Sequence, residues 1–208
     1  MNKFDSGLNL PTRPSRTPLK TEILWGCERG GSHHFPRDIG EIQTRRHSTD
    51  PKPLDAFRIA VMNAMDRVWV MDEYFLMPDG GTNPDKRILT ILDWLHTDLI
   101  ACDIRILTKK HDEIDKDMLE LFQIREKEIN AYQTRRPKQC SILVNTCLRD
   151  KFNYIHDRFA IVDDELWHFG ATVGGFHASV NAASRGWSAV DSGAIAFFEL
   201  AWDKCKER

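Results

Sequence analysis

Apolar residues in the middle of this chain recur first at helical spacing and then in short continuous runs, and the alternation repeats. The apolar positions between Leu54 and Met65 fall on one face of a helix, and Val68 to Met71 follow as a wholly apolar run. A spacing of about three to four residues is typical of a helix against a core, whereas a short apolar run is typical of a buried strand. The predicted helices are 54–65, 86–99 and 114–130, and the predicted strands that follow them are 68–71, 103–108 and 141–146.

The last third of the chain predicts a hairpin and a closing helix. Two alternating segments flank Asp163 and Asp164, a pair that suits a tight turn. The predicted strands are 154–162 and 165–169, followed by a loop or short helix over 174–183, a strand within 188–196 and a helix over 197–206. Strands that alternate with helices before a late hairpin predict an α/β fold, a mixed β-sheet sandwiched between helices. Sites in such sheets usually lie at the rim, where strands end.

The first 53 residues show little periodicity. Residues 1–20 are rich in Pro, Arg, Ser and Thr and predict a flexible arm, with short strands expected at 21–25 and around 40–45. We therefore divide the chain into a loop-rich lead-in, 1–53, which can add a strand to the sheet, and one domain, 54–208.

Composition narrows the class of protein. The 208 residues carry a net charge of -2, which argues against binding of nucleic acid through bulk charge alone. No apolar run has the length of a membrane span, and the N-terminus lacks the apolar core of a secretory signal. The five cysteines form an odd, scattered set, so reduced thiols and a cytoplasmic location are expected. Cys27 and the histidines near it lack the spacing of a zinc site, and no metal or cofactor is expected.

His156 and Arg158 are the strongest candidates for chemistry. They lie two residues apart on a predicted strand, so their side chains should project from the same face. An imidazole can attack phosphorus, and a nearby guanidinium can stabilise the charge that builds on the phosphoryl oxygens. The pair therefore indicates a site for a phosphate ester.

The spacing around this pair points to a known family. His156-x-Arg158-x4-Asp163-x6-Gly170 resembles the HxKx4Dx6G motif of the phospholipase D superfamily, and the similarity extends over about residues 54–205. The resemblance implies a phospholipase D-like fold and a two-step reaction on a phosphodiester, without a metal or cofactor, through a phosphohistidine. It also implies that a second histidine protonates the leaving oxygen. Because this chain has one such motif, the resemblance implies a homodimer in which each subunit supplies His156.

Arg158 and Asp163 each have two interpretations. Arg158 stands where the family commonly has lysine, a variant that part of the superfamily shares, and arginine binds phosphate bidentately. An ion pair with Asp157 or Asp163 is the structural alternative, but the shared face with His156 favours a phosphate clamp. Asp163 belongs to the motif and is kept with His156 and Arg158 as a catalytic candidate, although its position in the hairpin turn favours a structural role.

The serine and asparagine that commonly follow the motif glycine are replaced by apolar residues. Thr172 is the nearest hydroxyl to these positions, and it is a candidate for substrate binding together with Gly170. Asn181 and Ser184, further along the chain, are the other candidates for substrate binding.

The acidic residue that orients the histidine in the family has no certain match. Asp191 and Glu199 are candidates by their order in the chain alone. His168 and His177 are two further histidines that could reach the site, although histidines of this kind more often lie on the surface or in packing contacts.

Three functions remain open. The first is a phosphodiesterase, favoured as a nuclease because no lipid-facing helix or lipidation motif stands out. The second is a catalytically degenerate binding or scaffold module, such as a regulatory piece of a larger bacterial system, which the loss of the polar positions after Gly170 supports. The third is a lipid-processing enzyme or a membrane-binding domain.

Overall fold

A computed structural model of the protein describes residues 19–26, 32–46, 54–76, 84–132, 137–153, 155–175 and 181–206. This part of the chain forms an α/β fold with one seven-stranded mixed sheet and six helices. The helices are α1 (Ile39–Arg46), α2 (Asp55–Met62), α3 (Pro84–Trp94), α4 (Lys116–Tyr132), α5 (Leu148–Lys151) and α6 (Ala194–Lys204). The strands are β1 (Glu22–Trp25), β2 (Arg67–Met71), β3 (Asp103–Leu107), β4 (Ser141–Asn145), β5 (Phe159–Val162), β6 (Glu165–Phe169) and β7 (Ala182–Ser188).

The sheet combines a parallel half with an antiparallel half that meet at β2. The strand order is β1-β7-β6-β5-β2-β3-β4, in which β2, β3 and β4 are parallel. The remaining pairs, from β2–β5 to β1–β7, are antiparallel. The N-terminal segment therefore contributes the edge strand β1. No helix in the described ranges has the length and apolar content needed to cross a membrane.

Alternate residues of β2 belong to two separate hydrophobic clusters. Val68 and Val70 belong to the first cluster, which also contains residues of α2, α3 and α4. Trp69 and Met71 belong to the second cluster, which contains residues of α5 and α6. Successive strand residues point to opposite faces, so β2 is buried on both sides. This double burial explains why its sequence is continuously apolar instead of alternating.

Phe57 fixes α2 against the sheet. Its ring is fully buried and makes edge contacts with Trp94, Trp167 and Phe169, at centroid distances of 5.7, 5.3 and 5.1 Å. These rings come from α3 and β6, so one side chain joins two helices to the antiparallel half of the sheet. Truncation of such an aromatic to alanine typically costs about 3–5 kcal/mol.

The apolar pattern correctly predicted the three parallel strands and the helix before each of them. β2, β3 and β4 begin and end within one residue of the predicted bounds, and α2, α3 and α4 within five residues. These elements carry their periodicity in their own sequence, because each one packs directly on the core.

The strand predicted around residues 40–45 is wrong, because this segment is the helix α1. Polar side chains stabilise its first turn. The Asp38 carboxylate accepts a hydrogen bond from the Glu41 backbone N–H at 3.0 Å, and the Glu41 carboxylate accepts one from the Arg37 N–H at 2.9 Å. Side chains that satisfy free N–H groups in this reciprocal way mark a helix start.

The strand predicted within 188–196 is also wrong. The observed strand β7 ends at Ser188, residues 189–193 form turns, and α6 begins at Ala194. β7 has few large apolar residues, and its backbone is held between β6 and β1 on both sides. Tertiary hydrogen bonding, and not local preference, determines this strand.

The hairpin turn at Asp163 and Asp164 is confirmed, but the first strand of the hairpin is shorter than predicted. β5 begins only at Phe159, and residues 155–158 have no regular structure, while Tyr154 lies outside the described residues. His156 and Arg158 therefore precede the strand. The prediction that their side chains project from the same face of a strand does not apply to them. Their positions depend on side-chain contacts.

Candidate active site

Three chain segments meet at one edge of the sheet, the edge formed by the carboxyl ends of β2 and β3. β2 and β3 are parallel, so Asp72 and Thr108, the residues after their last positions, lie at the same edge. β5 runs antiparallel to β2 with Phe159 opposite Met71, so the residues before Phe159 reach this edge too. The ends of β2 and β3 thus lie beside the segment that carries His156 and Arg158.

Glu73 holds the ring of His156. Its Oε1 lies 3.2 Å from His156 Nδ1, and its Oε2 accepts a 2.8 Å hydrogen bond from Nη1 of Arg149, which belongs to α5. The Glu73 side chain is only 3% exposed, whereas the His156 side chain is 68% exposed. A carboxylate at Nδ1 selects the tautomer with the proton on that nitrogen and leaves the Nε2 lone pair free. The free nitrogen belongs to an exposed side chain, as a nucleophile requires.

Asp72 is a fully buried carboxylate beneath the same edge. Its Oδ1 accepts a hydrogen bond from the Tyr74 N–H at 2.8 Å, and its Oδ2 accepts one from the Val173 N–H at 2.7 Å. The Arg158 Nε lies 3.8 Å from Oδ1, an ion pair at the long end of the range. Asp72 therefore joins the end of β2 to the segment after β6 and to the candidate phosphate clamp.

Burial raises the pKa of Asp72 to about 6. The low polarity around the carboxyl group disfavours its charged form. The two backbone hydrogen bonds, and then the positive charges of Arg158 and Arg87, act in the opposite direction. Asp72 consequently titrates close to neutral pH, and the charge that faces Arg158 changes there.

The Tyr74 ring is in contact with two cations. The guanidinium carbon of Arg158 lies 4.8 Å from the ring centroid, and Nζ of Lys109 lies 4.1 Å from it. Cations at these distances are attracted by the negative face of an aromatic ring. Tyr74 therefore brings a residue that follows β3 next to the residue that precedes β5.

Two of the predicted substrate-binding residues lie on the segment after β6. Thr172 is buried and directly precedes Val173, whose N–H donates to Asp72, so the structure places Thr172 near the candidate site. Gly170 starts this segment, and its N–H donates to the Ala182 carbonyl at the start of β7.

Asn181 and Ser184 lie on the other side of the sheet centre. The Asn181 carbonyl accepts a hydrogen bond from the Gly26 N–H next to β1, and Ser184 pairs with Ile23 and His168 within the sheet. β6 and β5 separate β7 from β2. The structure therefore does not bring these two residues together with the Asp72 and Glu73 carboxylates.

Asp163 lies at the opposite end of β5 from His156. Its carboxylate accepts hydrogen bonds from the backbone N–H groups of Met65, Asp66 and Arg67, which lead into β2. The site is built at the other end of β2, so the structure separates Asp163 from its two motif partners. Its contacts are those of a residue that fixes a turn, and its backbone has a positive φ of 57°.

The acid that pairs with His156 comes from upstream in the chain. Glu73 follows β2, whereas the candidates chosen by order were Asp191, in the turn after β7, and Glu199, on α6. A usable signal was the pair Asp72-Glu73 directly after a predicted buried strand, because sites in such sheets usually lie where the strands end.

His168 bonds to a different carboxylate, Asp157, through Nε2. His177 lies outside the described residues. Within the described ranges, no group of three or more His, Cys, Asp or Glu side chains is arranged to hold a metal ion.

Comparisons with known proteins give structural similarity only at low identity. No protein-family profile matches the sequence, and no curated protein matches it. The fold is similar to that of TrmBL2, an archaeal chromatin protein with a DNA-binding mode described as novel, at a TM-score of 0.41 and 9% identity over 96% of this chain and 55% of that one. It is similar to the phosphatidylserine synthase of Haemophilus influenzae Rd KW20 at a TM-score of 0.44 and 12% identity, over 70% of this chain and 33% of that one.

A third similar structure is NucT from Helicobacter pylori. Its TM-score is 0.43 and its identity 10%, over 89% of this chain and 96% of that one. The chain therefore spans about half of the first of these three structures, a third of the second and nearly all of the third.

Proposed function

We propose that this chain is a metal-independent phosphodiesterase of the phospholipase D type, and specifically a nuclease, with His156 as its nucleophile. The observation that carries the proposal is the contact between the Nδ1 atom of exposed His156 and buried Glu73. A carboxylate fixed on one ring nitrogen prepares the other nitrogen for attack, and this arrangement of nucleophile and orienting group is typical of covalent catalysis.

The proposed reaction has two steps. Nε2 of His156 attacks phosphorus, a nitrogen–phosphorus bond forms, and the bond from phosphorus to the leaving oxygen breaks as that oxygen takes a proton from a second histidine. Water then attacks phosphorus, gives a proton back to that second histidine, and releases the phosphate monoester as the nitrogen–phosphorus bond breaks. Glu73 stabilises the positive ring of His156 in both steps.

Arg158 is proposed to bind the phosphoryl oxygens during these steps. Its guanidinium is already positioned by the Asp72 carboxylate and by the Tyr74 ring. A group that is positioned before the substrate arrives stabilises developing charge with little reorganisation. The Arg158 side chain is 22% exposed, so part of it remains open to a ligand.

A homodimer is proposed as the active form, because the mechanism needs a second histidine and the motif occurs once in the sequence. His156 of a second copy would supply the proton across a twofold axis. Sedimentation velocity should give a dimer, and specific activity should fall on dilution below the dimer dissociation constant. A monomer with full activity would rule out the shared site.

Two further parts of the proposal concern the fold and the location of the protein. We propose that helices cover both faces of the sheet. We also propose that the protein is located in the cytoplasm.

The central test compares two histidine variants that share the same local chemistry. His156→Ala removes the proposed nucleophile, and His96→Ala removes an exposed histidine that is also paired with a carboxylate, Asp98, at 2.7 Å. Turnover of bis(4-nitrophenyl) phosphate and of a single-stranded oligonucleotide is measured in EDTA. We expect the His156 variant to lose at least about a thousandfold in kcat, as removal of a catalytic nucleophile does, and the His96 variant to keep its activity.

A trapping experiment tests the covalent step directly. Acid-labile, base-stable phosphate should appear on the protein after rapid quenching with labelled substrate, and it should be absent from the His156→Ala variant. Equal turnover by the native protein and by this variant would reject the proposal, because no other group is assigned to the attack.

The second candidate function is a catalytically degenerate binding or scaffold module. The observation that favours it is the burial of Ala171 and Val173, which occupy the polar positions of the family motif and are 6% and 0% exposed. In that case the native protein would bind an oligonucleotide or a phosphate ligand with no turnover and no trapped phosphate. His156→Ala would then alter binding alone.

A further inference from the structure

Lys109 is a cation next to the candidate site, and the catalytic proposal gives it no role. It follows Thr108 at the end of β3, and its ammonium group lies 4.1 Å from the Tyr74 ring centroid. Tyr74 is also the ring under Arg158, at 4.8 Å. One aromatic side chain therefore contacts both the proposed phosphate clamp and a second positive charge.

The charges around Tyr74 are layered by depth. The two carboxylates at this edge, Asp72 and Glu73, are buried, at 0% and 3% exposure. Arg87 is buried together with these carboxylates, whereas two other cations that face them are more exposed, with 22% for the Arg158 side chain and 49% for the Arg149 side chain. A ligand that approaches from solvent therefore meets positive groups first, and the negative groups lie beneath them.

We propose that Lys109 is a second phosphate-binding residue, so that the site takes a nucleic acid strand across two phosphates, one on Arg158 and one on Lys109. This inference rests on the proposed function and names the substrate class: a polynucleotide, as opposed to an isolated phosphodiester or a single lipid headgroup. Tyr74 is the positioning residue for both cations.

The distances suit a strand of nucleic acid. Arg158 and Lys109 lie 4.8 and 4.1 Å from the same centroid, so their charges cannot be further apart than those two distances laid end to end. A nucleic acid strand carries one phosphate charge for about every 3.4 Å along the axis of a duplex. The separations open to the two cations therefore overlap the spacing of neighbouring phosphates on one strand, whereas an isolated phosphodiester has only one charge to place.

The test uses Lys109→Gln with Lys110→Gln as the matched control. Lys110 is the next residue and is exposed, so both variants remove one charge from the same segment. We expect the ratio of kcat/KM for a single-stranded oligonucleotide to kcat/KM for bis(4-nitrophenyl) phosphate to fall about tenfold in the Lys109 variant. Lys109→Arg should restore the ratio. The salt slope of oligonucleotide binding should decrease by about 0.7, the value for one phosphate contact on a single strand.

Each outcome bears on a different proposal. If Lys109→Gln and Lys110→Gln give the same ratio and salt slope as the native protein, the second phosphate site is rejected while the nuclease proposal stands. If the native protein turns over neither substrate, the proposed function fails, and the salt slope of binding still tests Lys109. The assignment to nucleic acid is overturned if Lys109→Gln weakens binding to vesicles that contain phosphatidic acid and leaves binding to the oligonucleotide unchanged.

Discussion

Glu73 and His156 are 83 residues apart in the chain and 3.2 Å apart in the fold. One follows the central strand β2 and the other precedes β5, and the antiparallel pairing of these two strands brings them to the same edge of the sheet. The position of the proposed nucleophile therefore depends on the register of one strand pair. Any change that alters this register also moves the histidine away from its carboxylate.

Glu73→Gln should reduce catalysis more than stability. The amide keeps the size of the side chain but cannot hold the imidazole as a carboxylate does, and misplacement of a reacting group by about 1 Å can cost roughly a hundredfold. We expect kcat to fall by about ten- to a hundredfold with KM changed less. Asp98→Asn, at the matched His96 pair, is the control for loss of a histidine–carboxylate contact. An unchanged kcat in the Glu73 variant would remove the orienting role.

Asp72 should make stability depend on pH in a defined direction. Its folded-state pKa of about 6 lies above the 3.8 of an ordinary aspartate, so the native state binds this proton more tightly than the unfolded state does. The contribution of Asp72 is therefore fully present below pH 3.8 and is lost as pH rises through 6. The size of the loss is about 3 kcal/mol.

Urea unfolding between about pH 4 and pH 8 measures this contribution. The free energy of unfolding of the native protein minus that of Asp72→Asn should decrease with rising pH, because the amide does not titrate. The same difference for Asp203→Asn, an exposed carboxylate paired with Lys206, sets the background. A flat difference curve for Asp72 would contradict the burial argument.

Asp163→Ala should destabilise the fold and leave the chemistry largely intact. The substitution leaves the N–H groups of Met65, Asp66 and Arg67 without the carboxylate that accepts their hydrogen bonds. Hydrogen bonds to a charged group contribute about 1.5–3 kcal/mol, so we expect a loss of about that size. Asp163→Asn should cost less, because asparagine tolerates the positive φ and keeps one acceptor.

Kinetic measurements distinguish a structural role of Asp163 from a catalytic one. Activity per folded Asp163→Ala molecule, corrected by circular dichroism, should fall far less than in His156→Ala. A catalytic loss equal to that of the histidine variant would show that Asp163 takes part in the reaction.

Gly186→Ala should weaken the attachment of β1. Gly186 has a φ of +91°, and an added Cβ would overlap the backbone carbonyl of Lys20 just before β1. Gly193 is the matched control, because its φ is +75° and nothing lies within 4 Å of an added Cβ. Gly193→Ala should cost about 1–2 kcal/mol for the left-handed backbone alone.

We expect Gly186→Ala to cost clearly more than its control, with the difference confined to the β1–β7 edge. Thermal unfolding gives the overall cost, and hydrogen exchange of the β1 amides locates it. Equal costs for the two variants would mean that the Lys20 segment moves away freely.

The central part of the fold was predictable from local pattern. Six elements each contribute residues to a hydrophobic core, so the spacing of their apolar residues alone identifies them: β2, β3, β4, α2, α3 and α4. β7 was placed wrongly because its hydrogen bonds to β1 and β6 come from distant segments, and its own residues show no strong preference. α1 was missed because its signal is a polar contact between Asp38 and Glu41, and not an apolar period.

His156 and Arg158 were identifiable as the candidates for chemistry without any structure, because their identity and spacing lie in one short segment. Their partners, Glu73 and Asp72, and the separation of Asp163 from the site became visible only in the folded chain. Spacing along the chain indicates which residues share a helix or strand. Burial and charge pairing between segments depend on the register and direction of strands, which no local pattern contains.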